Sequence, residues 1–386
     1  MEAYLANTYK RLPLEIVRGR GALAYDAQGK EYIDLGSGIG VNLLGYCDEG
    51  WLRAVTDQLQ RFQHCSNLYE SAPAAELARL LCERTGMSRV FFSNSGAEAN
   101  ECAIKVARKW AETEKGLHES YIITLNRSFH GRTIAALSAT GQEVYHRDFA
   151  PLLDGFLHCD VGDREGLQRL LETYPCSAIM MEVVQGEGGV MPIGQEFADF
   201  VQKCADSYNI LLITDEVQLG NGRSGKLYGY MHYGLHPDIV TTAKGLGGGL
   251  PIGATLLGER VAEVLQPGMH GSTFGGNPVA CAGGVEIMHR LDVDFLKGVE
   301  ERSAYIVSEL EQAEGISQIT GLGLMLGFVP PVAAREFAEE LLSEGVLVTT
   351  AKDKIRLLPP LNIPMDVLKT AVQTIKRCAA AKGGTP

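Results

Sequence analysis

The chain is poor in the features that mark secreted, membrane-spanning or nucleic-acid-binding proteins. Its nine cysteines lie at irregular spacings between Cys47 and Cys378 without a C-x-x-C pair, which argues against a disulfide framework and a zinc site. No apolar run approaches the roughly 18 residues that span a bilayer, and the first residues contain no apolar core of a signal peptide. We therefore expect a cytoplasmic, unprocessed protein with reduced thiols.

Positive charge is also scarce, since 35 Lys and Arg residues face 47 Asp and Glu residues and leave a net charge of -12. A surface of this sign repels phosphate backbones and anionic membranes, so we expect no nucleic-acid or membrane partner. No histidine pair has metal-ligand spacing, no G-x-S-x-G elbow occurs, and His130 and His270 carry no signal beyond that of structural histidines. We expect neither a metal site nor a Ser/His/Asp triad.

The hydrophobic content is 45% over 386 residues, enough for about two to three domain-sized units. Short apolar runs alternate with segments of helical period, such as 97–110 and 196–208, and this alternation is typical of a mostly parallel, helix-covered sheet. After residue 278, helical segments at 280–289 and 304–312 precede GLGLMLGFV and VLVTT, which indicates a smaller α+β domain, with 379–386 as a loose tail. The predicted buried strands are 89–92, 121–125, 178–183, 210–214, 238–243 and 252–258.

The stretch RVFFSNSGAEANE leads from a predicted strand into a helix whose first turn is Gly96, Ala97 and Glu98. Small side chains let an anion approach the free amides at a helix start, where the helix dipole also favours negative charge. The segment therefore suits a phosphate, although an ordinary tight turn explains it equally well.

Two further chemical groups come directly after predicted buried strands. Asp215 and Glu216 follow ILLIT, at the strand ends where ligands of open α/β sheets bind, although a helix-capping acid stays an alternative. Lys244 ends DIVTTAK and precedes the nearly side-chain-free GLGGG. Because a free lysine amine has a pKa of about 10.4, partial burial or nearby positive charge is needed to make it a nucleophile toward an aldehyde. This position favours that role over a solvated surface lysine.

Glycine-rich runs offer a competing prediction of nucleotide binding. GNGRSGKL, residues 220–227, nearly matches the phosphate-binding P-loop, but Leu227 supplies no hydroxyl for Mg²⁺. The Asp and Glu that precede the run are negatively charged and would repel a triphosphate. GSGIG at Gly36 and GLGGG at Gly245 lack the context of a dinucleotide-binding fingerprint. We therefore disfavour a P-loop-like nucleotide-binding protein.

Seven motifs together resemble the class-III aminotransferases, pyridoxal 5'-phosphate (PLP) enzymes of fold type I. They are SNSGAEANE, SFHGRT, EVVQGEGGV, ITDEVQLGNGRSG, AKGLGGGLPIGA, GSTFGGNP and IRLLPPL, in the family's order, and the resemblance runs from about residue 19 to the tail. It implies an α/β fold with a large PLP-binding domain at 46–278 around a mostly parallel seven-stranded sheet. The segment 1–45 would contribute to the small α+β domain at 279–386.

The same resemblance implies roles for individual side chains. Lys244 would bond covalently to PLP, Asp215 would pair with the pyridinium nitrogen, and Phe129 would stack on the ring. Gln218 would approach the ring hydroxyl, and Thr273 would reach the site of the other subunit of a homodimer. The positions that match cofactor contacts of the family are Gly96, Ala97, Phe129, Asp215, Glu216, Val217, Gln218, Lys244 and Thr273.

For substrate binding, the resemblance implies that Arg132 holds the α-carboxylate of the donor and that Ser272 lies near the substrate. Arg356 would pair with Glu187 until 2-oxoglutarate needs its guanidinium, although a purely structural salt bridge stays open. A planar guanidinium suits both tasks because it binds a carboxylate through two hydrogen bonds.

The stretches SGIGVNLLG, CSNLYE and HGSTFGGNP are most similar to family members that act on N-acetylornithine. They imply transfer of its distal amino group to 2-oxoglutarate in arginine biosynthesis. N-succinyl-diaminopimelate, ornithine and 4-aminobutyrate stay open as donors, and a PLP racemase or mutase is a more distant alternative. A binding protein that has kept the fold is disfavoured because Lys244 and Asp215 are both present.

Three departures from the family pattern affect the expected substrate more than the expected chemistry. Tyr46, Cys47 and Asp48 stand within the usual G-H-x-H-P motif, Val183 replaces a proline, and Asn221 stands where methionine is common. We expect none of them to touch the cofactor contacts.

Overall fold

The structure is a computed structural model that describes residues 4–383, and a seven-stranded sheet forms its centre. The strands are β1 Ile16–Arg20, β2 Leu23–Asp26, β3 Glu31–Asp34, β4 Arg89–Ser93, β5 Tyr121–Leu125, β6 Phe156–Cys159, β7 Cys176–Met181, β8 Val184–Gln185, β9 Met191–Pro192, β10 Leu211–Asp215, β11 Ile239–Thr242, β12 Gly253–Leu257, β13 Ser317–Leu322, β14 Met325–Val329, β15 Val346–Leu347, β16 Thr349–Ala351 and β17 Lys354–Leu357. The helices are α1 Ser37–Gly40, α2 Glu49–Arg61, α3 Ala72–Thr85, α4 Gly96–Lys115, α5 Ile134–Ala139, α6 Glu143–His146, α7 Arg164–Thr173, α8 Gln195–Ser207, α9 Pro278–Arg290, α10 Val293–Glu311, α11 Ala334–Ser343 and α12 Met365–Gly383.

The central sheet has the strand order β4-β12-β11-β10-β7-β5-β6. Only β12 runs against its neighbours, since it pairs antiparallel with both β11 and β4 while the other pairs are parallel. The prediction of a mostly parallel seven-stranded sheet is confirmed. In such a sheet the carboxyl ends of β10 and β11 lie side by side, which brings the residues after them together.

All six predicted strands are present. The bounds of β5 are those predicted, and the bounds of the other five differ from the prediction by one or two residues. The prediction for β7 ran too far, because the strand stops at Met181 and the next carboxylate, Glu182, turns away to accept backbone hydrogen bonds. The sequence analysis missed β6. This strand lies at the edge of the sheet and its Phe-Leu-His-Cys sequence is only half-buried, so it lacks a continuous apolar run.

The helix α4 begins where small residues follow β4. Its N-cap, Ser95, accepts a hydrogen bond from the amide of Glu98, and the Glu98 carboxylate accepts one from the amide of Asn94, the residue before the N-cap. The helix ends at Gly116, whose φ of 67° suits glycine. One face packs on β12, β11 and β7, so α4 is held firmly at the site end of the sheet.

Two four-stranded sheets and the two-stranded sheet β8-β9 accompany the central one. The antiparallel sheet β13-β14-β17-β16 carries Arg356 on β17, and the sheet β1-β2-β3-β15 joins the two ends of the chain because β3 and β15 pair in parallel. The helix α9 follows the boundary predicted at residue 278, but it packs against α2 and α3, which belong to the predicted large domain. The domain boundaries stay predictions.

The tail prediction is wrong for residues 379–383, because α12 continues to Gly383, and residues 384–386 lie outside the described part of the chain. Leu368, Val372 and Ile375 supply a buried stripe at helical spacing that holds α12 on the core. Across residues 4–383, none of the helices combines the length and the apolar character needed to cross a bilayer.

Candidate active site

A cavity of about 430 Å³ opens at the carboxyl ends of β10 and β11, and we call it the Lys244 cavity. The register of the two parallel strands pairs Asp215 with Thr241, so Lys244 follows three residues later along the same edge. The structure therefore brings the predicted amine and carboxylate together. The predicted site residues that line the cavity are Gly96, Ala97, Phe129, Arg132, Glu187, Asp215, Val217, Gln218 and Lys244.

The amine of Lys244 is partly buried in this cavity. Burial, reinforced by the positive charge of Arg356, lowers its pKa to about 8 against the opposing charges of Glu187 and Asp215. A much larger fraction of the amine is therefore neutral near pH 7.5 than for a solvated lysine, and only the neutral amine attacks an aldehyde. The expectation of a partly desolvated lysine near positive charge is met by these surroundings.

The backbone of Lys244 has a φ of 42°, a left-handed conformation that is uncommon for residues other than glycine and asparagine. Such a conformation costs about 1–3 kcal/mol and persists only where neighbouring contacts hold it. Backbone strain of this kind is enriched at functional sites, and here it occurs at the residue that bears the reactive amine.

Asp215 accepts three hydrogen bonds. Its Oδ2 lies 2.8 Å from Asn100 Nδ2 and 2.8 Å from His130 Nδ1, and its Oδ1 accepts a bond of 3.0 Å from the amide of Val217. Because a carboxylate only accepts, Nδ1 of His130 carries the proton in this contact. These bonds fix the carboxylate in one orientation at the cavity wall.

Sequence analysis missed Asn100 and assigned His130 no role. Both are buried, and His130 is a partner of Asp215 instead of a core histidine. The one signal in the sequence was Asn100, a polar residue on the apolar face of α4 four positions after Gly96. The contacts themselves join residues 85 and 115 positions apart, which no local pattern encodes.

Glu182 is a second carboxylate that the sequence analysis missed. It lines the cavity beside Asp215, and its oxygens accept hydrogen bonds from the amides of Phe129 at 2.9 Å and Gly186 at 3.3 Å. Burial raises its pKa to about 7, although the charge of His130 opposes the shift. Glu182 also anchors the backbone of Phe129, whose ring forms part of the cavity wall.

The guanidinium of Arg132 is exposed at the cavity mouth and lies against aromatic rings. Its Cζ is 4.2 Å from the ring centre of Tyr145 and 5.4 Å from that of Phe129, and the two rings meet edge to face. Tyr145 was not identified from the sequence. Rings on one side of a guanidinium orient it while leaving its N–H groups able to bind a carboxylate.

Arg356 and Glu187 form the predicted ion pair. Arg356 is 2% exposed, and its Nη1 lies 2.6 Å from Glu187 Oε1 and 3.0 Å from Gln218 Oε1, while Nε donates to Thr349 at 3.1 Å. Burial disfavours ionisation of Glu187, but the charge and hydrogen bond of Arg356 outweigh it and lower its pKa. The pair therefore stays ionised beside Lys244.

Four predicted residues do not line the cavity of their own chain: Arg356, whose partners are given above, Glu216, Thr273 and Ser272. The carboxylate of Glu216 is buried elsewhere, where it accepts hydrogen bonds from the amides of Gly229 and Tyr230 at 2.8 and 2.7 Å. Thr273 is exposed. Ser272 accepts a bond of 3.1 Å from the side chain of Asn94, which does line the cavity. The roles of Thr273 and Ser272 thus stay predictions that concern a second subunit.

The departures from the family pattern have structural partners. The hydroxyl of Tyr46 donates to Asp34 at 2.7 Å, and Asp48 caps α2 and pairs with Arg290 at 3.2 Å. Val183 is buried in the core. Their side chains do not line the Lys244 cavity.

Asn221 lies close to the cavity without lining it. Its side-chain amide donates to the carbonyl of Ala243, which lines the cavity and directly precedes Lys244. The nucleotide-binding alternative also fails here, because Arg223 of the same glycine-rich run is buried and donates to the carbonyls of Leu324 and Pro359.

The class-III aminotransferase family model matches residues 4–379. The chain belongs to the class-III aminotransferases. It is 46% identical over 374 residues to the acetylornithine aminotransferase of Haemophilus ducreyi, covering 96% of this chain and 95% of that protein. It is 42% identical over 381 residues to the succinylornithine transaminase of Salmonella paratyphi A, covering 96% and 93%. The ornithine aminotransferase of Toxoplasma gondii, crystallised with partial PLP occupancy at its active site, superposes with a TM-score of 0.93 at 32% identity and covers 98% of this chain and 92% of that one.

This class-III aminotransferase is a PLP-dependent enzyme, and its cavity has groups suited to that cofactor. Gly96 and Ala97 line the cavity at the start of α4, and the first amides of a helix lack intrahelical partners, so these two amides suit a phosphate. Within residues 4–383, Nε2 of His130 and Oδ1 of Asn100 are buried without a hydrogen-bond partner beside Asp215.

Proposed function

We propose that the chain is a cytoplasmic enzyme of arginine biosynthesis that transfers the distal amino group of N-acetylornithine to 2-oxoglutarate. The products are N-acetylglutamate 5-semialdehyde and glutamate. The observation that carries the proposal is the contrast between two arginines: Arg132 is exposed at the mouth of the Lys244 cavity, while Arg356 is buried and paired with Glu187, which lines the cavity. The 46% identity to an acetylornithine aminotransferase supports this donor.

PLP, when bound, supplies an aldehyde to carry the amino group and a ring that accepts electrons from the donor carbon. The amine of Lys244 is the group for the covalent bond, and the carboxylate of Asp215 is suited to keep the ring nitrogen protonated. The amides of Gly96 and Ala97 would hold the phosphate. Phe129, Val217 and Gln218 would complete the contacts, with the backbone next to Glu216.

Lys244 also has the properties of the proton carrier. Its lowered pKa of about 8 lets the free Nζ accept the proton that leaves the carbon bearing the donor amine. In the ammonium form, the same atom can return the proton to a neighbouring position. A group whose pKa lies near the working pH performs both directions well.

The two arginines explain how one cavity accepts two kinds of substrate. Arg132 would bind the α-carboxylate of the amino donor in bidentate fashion. During that half-reaction Arg356 stays paired with Glu187, because N-acetylornithine has no second carboxylate to compete for the guanidinium. When 2-oxoglutarate enters, its second carboxylate competes with Glu187 for Arg356.

We further propose a homodimer in which Thr273 of one subunit completes the phosphate site of the other, with Ser272 near the substrate. Exposure of Thr273 on its own chain supports this arrangement. Because the same surface patch would serve both subunits, two equivalent sites form across one two-fold axis.

Donor identity is tested by measuring glutamate release from 2-oxoglutarate with matched concentrations of N-acetylornithine, N-succinylornithine, ornithine, N-succinyl-diaminopimelate and 4-aminobutyrate. We expect the highest kcat/KM with N-acetylornithine. N-succinylornithine is the second candidate because of the 42% identity to a succinylornithine transaminase. Absence of glutamate with every donor would reject the proposal.

The lysine assignment is tested by reduction with borohydride followed by peptide mass spectrometry. We expect the PLP adduct on Lys244, and we expect Lys244→Ala to lose both the adduct and turnover. Lys203→Ala is the matched control, since Lys203 lies exposed on α8 and should keep both. An adduct on another lysine would contradict the assignment.

A further inference from the structure

Asn221 lies in the turn after β10, with a φ of 58° and only 1% of its surface exposed. Its Nδ2 donates two hydrogen bonds, one of 2.9 Å to Thr242 Oγ1 and one of 3.2 Å to the carbonyl oxygen of Ala243. Both acceptors belong to the last residues before Lys244. The side chain of Asn221 therefore connects the strand end at Asp215 to the chain segment that carries the amine.

These bonds act on the segment whose backbone is strained. The carbonyl of Ala243 also accepts a bond of 2.9 Å from the amide of Leu246, so it is held from both sides of Lys244. On the following residue, a Cβ built at Gly245 would lie 3.6 Å from Cβ of Asn221, which shows how closely the two segments approach. Contacts of this kind allow the left-handed φ of Lys244 to persist.

The asparagine is itself an unusual choice for a buried position. Among residues 4–383 its buried Oδ1 has no hydrogen-bond partner, so an apolar side chain would avoid the cost of a half-satisfied amide. A left-handed φ alone does not explain it, because glycine adopts that conformation without a polar side chain. What asparagine adds over glycine is the pair of bonds to Thr242 and Ala243.

We propose that Asn221 is a positioning residue that fixes the peptide before Lys244 and so holds the amine in its buried, strained orientation. The proposal rests on the proposed role of Lys244 as the reactive amine. It assigns a function to a residue that departs from the family pattern and that itself does not line the Lys244 cavity.

The decisive variant is Asn221→Gly, because glycine keeps the left-handed turn and removes only the side chain. Loss of a hydrogen-bond bridge of ordinary strength changes a rate by about three- to tenfold. We expect kcat of the holoenzyme to fall by that factor, while KM for the donor and for 2-oxoglutarate stays within about twofold. If kcat is unchanged, Asn221 only forms a turn and the proposal is overturned.

A second measurement uses cofactor-free protein and does not depend on turnover. The rate at which an amine-specific reagent labels Lys244 is followed against pH by peptide mass spectrometry. A lysine released from its partly buried orientation is more solvated, so its pKa rises and the midpoint of labelling in Asn221→Gly should lie above that of the wild type. An unchanged midpoint in a folded variant would contradict the proposal.

Thr242 and Thr241 provide a matched pair for the case in which Asn221 variants fold poorly. Thr242→Val removes one acceptor of the Asn221 amide, whereas Thr241→Val removes a buried hydroxyl that has no hydrogen-bond partner in the described part of the chain. We expect the first to lower kcat and raise the labelling midpoint and the second to do neither. Equal behaviour of the two variants would sink the inference, and a wild-type PLP adduct on another lysine would instead reject the assignment of Lys244.

Discussion

At the scale of single residues, the protonation of the Lys244 amine depends on the charged side chains around it. Lys244 lies among Arg356, Glu187, Asp215 and Glu182, and its pKa follows first from burial and then from Arg356. The carboxylates oppose that shift. Substitution of any one of these charged residues should therefore change the pKa of the Lys244 amine.

We predict that Arg356→Gln raises the pKa of Lys244 from about 8 toward the value of a free lysine. The substitution removes a positive charge and leaves Glu187 free to stabilise the ammonium form. Amine labelling of the cofactor-free protein should therefore begin at higher pH. Labelling of the exposed Lys203 is the internal control, and a lower or unchanged midpoint for Lys244 would show that Arg356 does not act on the amine.

Tyr145 should act through Arg132. Removing the ring in Tyr145→Ala frees the guanidinium, and the loss of a cation–π contact at an exposed site corresponds to about a two- to fivefold rise in donor KM. Tyr145→Phe keeps the ring and should keep KM.

Arg132→Ala should raise donor KM by about 10- to 100-fold, because it removes a charged hydrogen-bonding partner. Unchanged donor KM in Arg132→Ala would remove Arg132 from substrate binding.

At the scale of elements, the site depends on how closely α4 approaches the turn after β10. A Cβ at Gly96 would lie 2.5 Å from Cγ1 of Val217, closer than two carbons can pack. The glycine lets the helix start, with its two free amides, lie directly against the turn that carries Asp215. Spacing between elements, more than any one side chain, determines where the phosphate donors lie.

We predict that Gly96→Ala weakens PLP binding and lowers the free energy of unfolding by about 1–3 kcal/mol through overpacking. Val217→Ala alone should have a small effect, and the double variant should recover part of both losses because the removed methyl groups make room for the new Cβ. PLP dissociation constants and thermal unfolding measure the two effects. A double variant no better than Gly96→Ala would show that contact with Val217 is not the cause.

At the scale of the whole molecule, exposed apolar side chains lie on two segments, 67–69 and 272–275, which together we call the apolar patch. Leu68 is 87% exposed, Tyr69 is 72% exposed and Phe274 is 60% exposed. The two segments that carry them are joined, because the side chain of Asn67 donates to the carbonyls of Ser272 and Gly275. Exposed apolar surface of this kind is typical of an interface.

We predict that Leu68→Glu shifts the protein from dimer to monomer in sedimentation velocity, since a charge buried in an interface without a partner is costly. Val293→Glu is the matched control, because Val293 is 82% exposed at the start of α10, outside this patch. A Leu68→Glu protein that sediments like the wild type would place the interface elsewhere.

A mixing experiment tests whether sites are shared. Lys244→Ala and Thr273→Ala proteins should each be impaired, and random re-association gives hybrids in about half of the dimers, each with one intact site of two. Activity should recover to about a quarter of the wild-type value. No recovery after verified subunit exchange would mean that both residues serve the same subunit's site.

The sequence by itself determined six strands of the central sheet, the carboxyl-end positions of Asp215 and Lys244, and the family, because these follow from local apolar period and from motif order. The edge strand β6 escaped because its exposure removes that pattern. Only the tertiary structure decided that His130 and Asn100 hold Asp215, that Tyr145 orients Arg132, and that Asn221 reaches the peptide before Lys244. Hydrogen bonds and ring contacts between residues far apart in the sequence depend on how helices and strands pack, and the local periodicity of the sequence does not encode that packing.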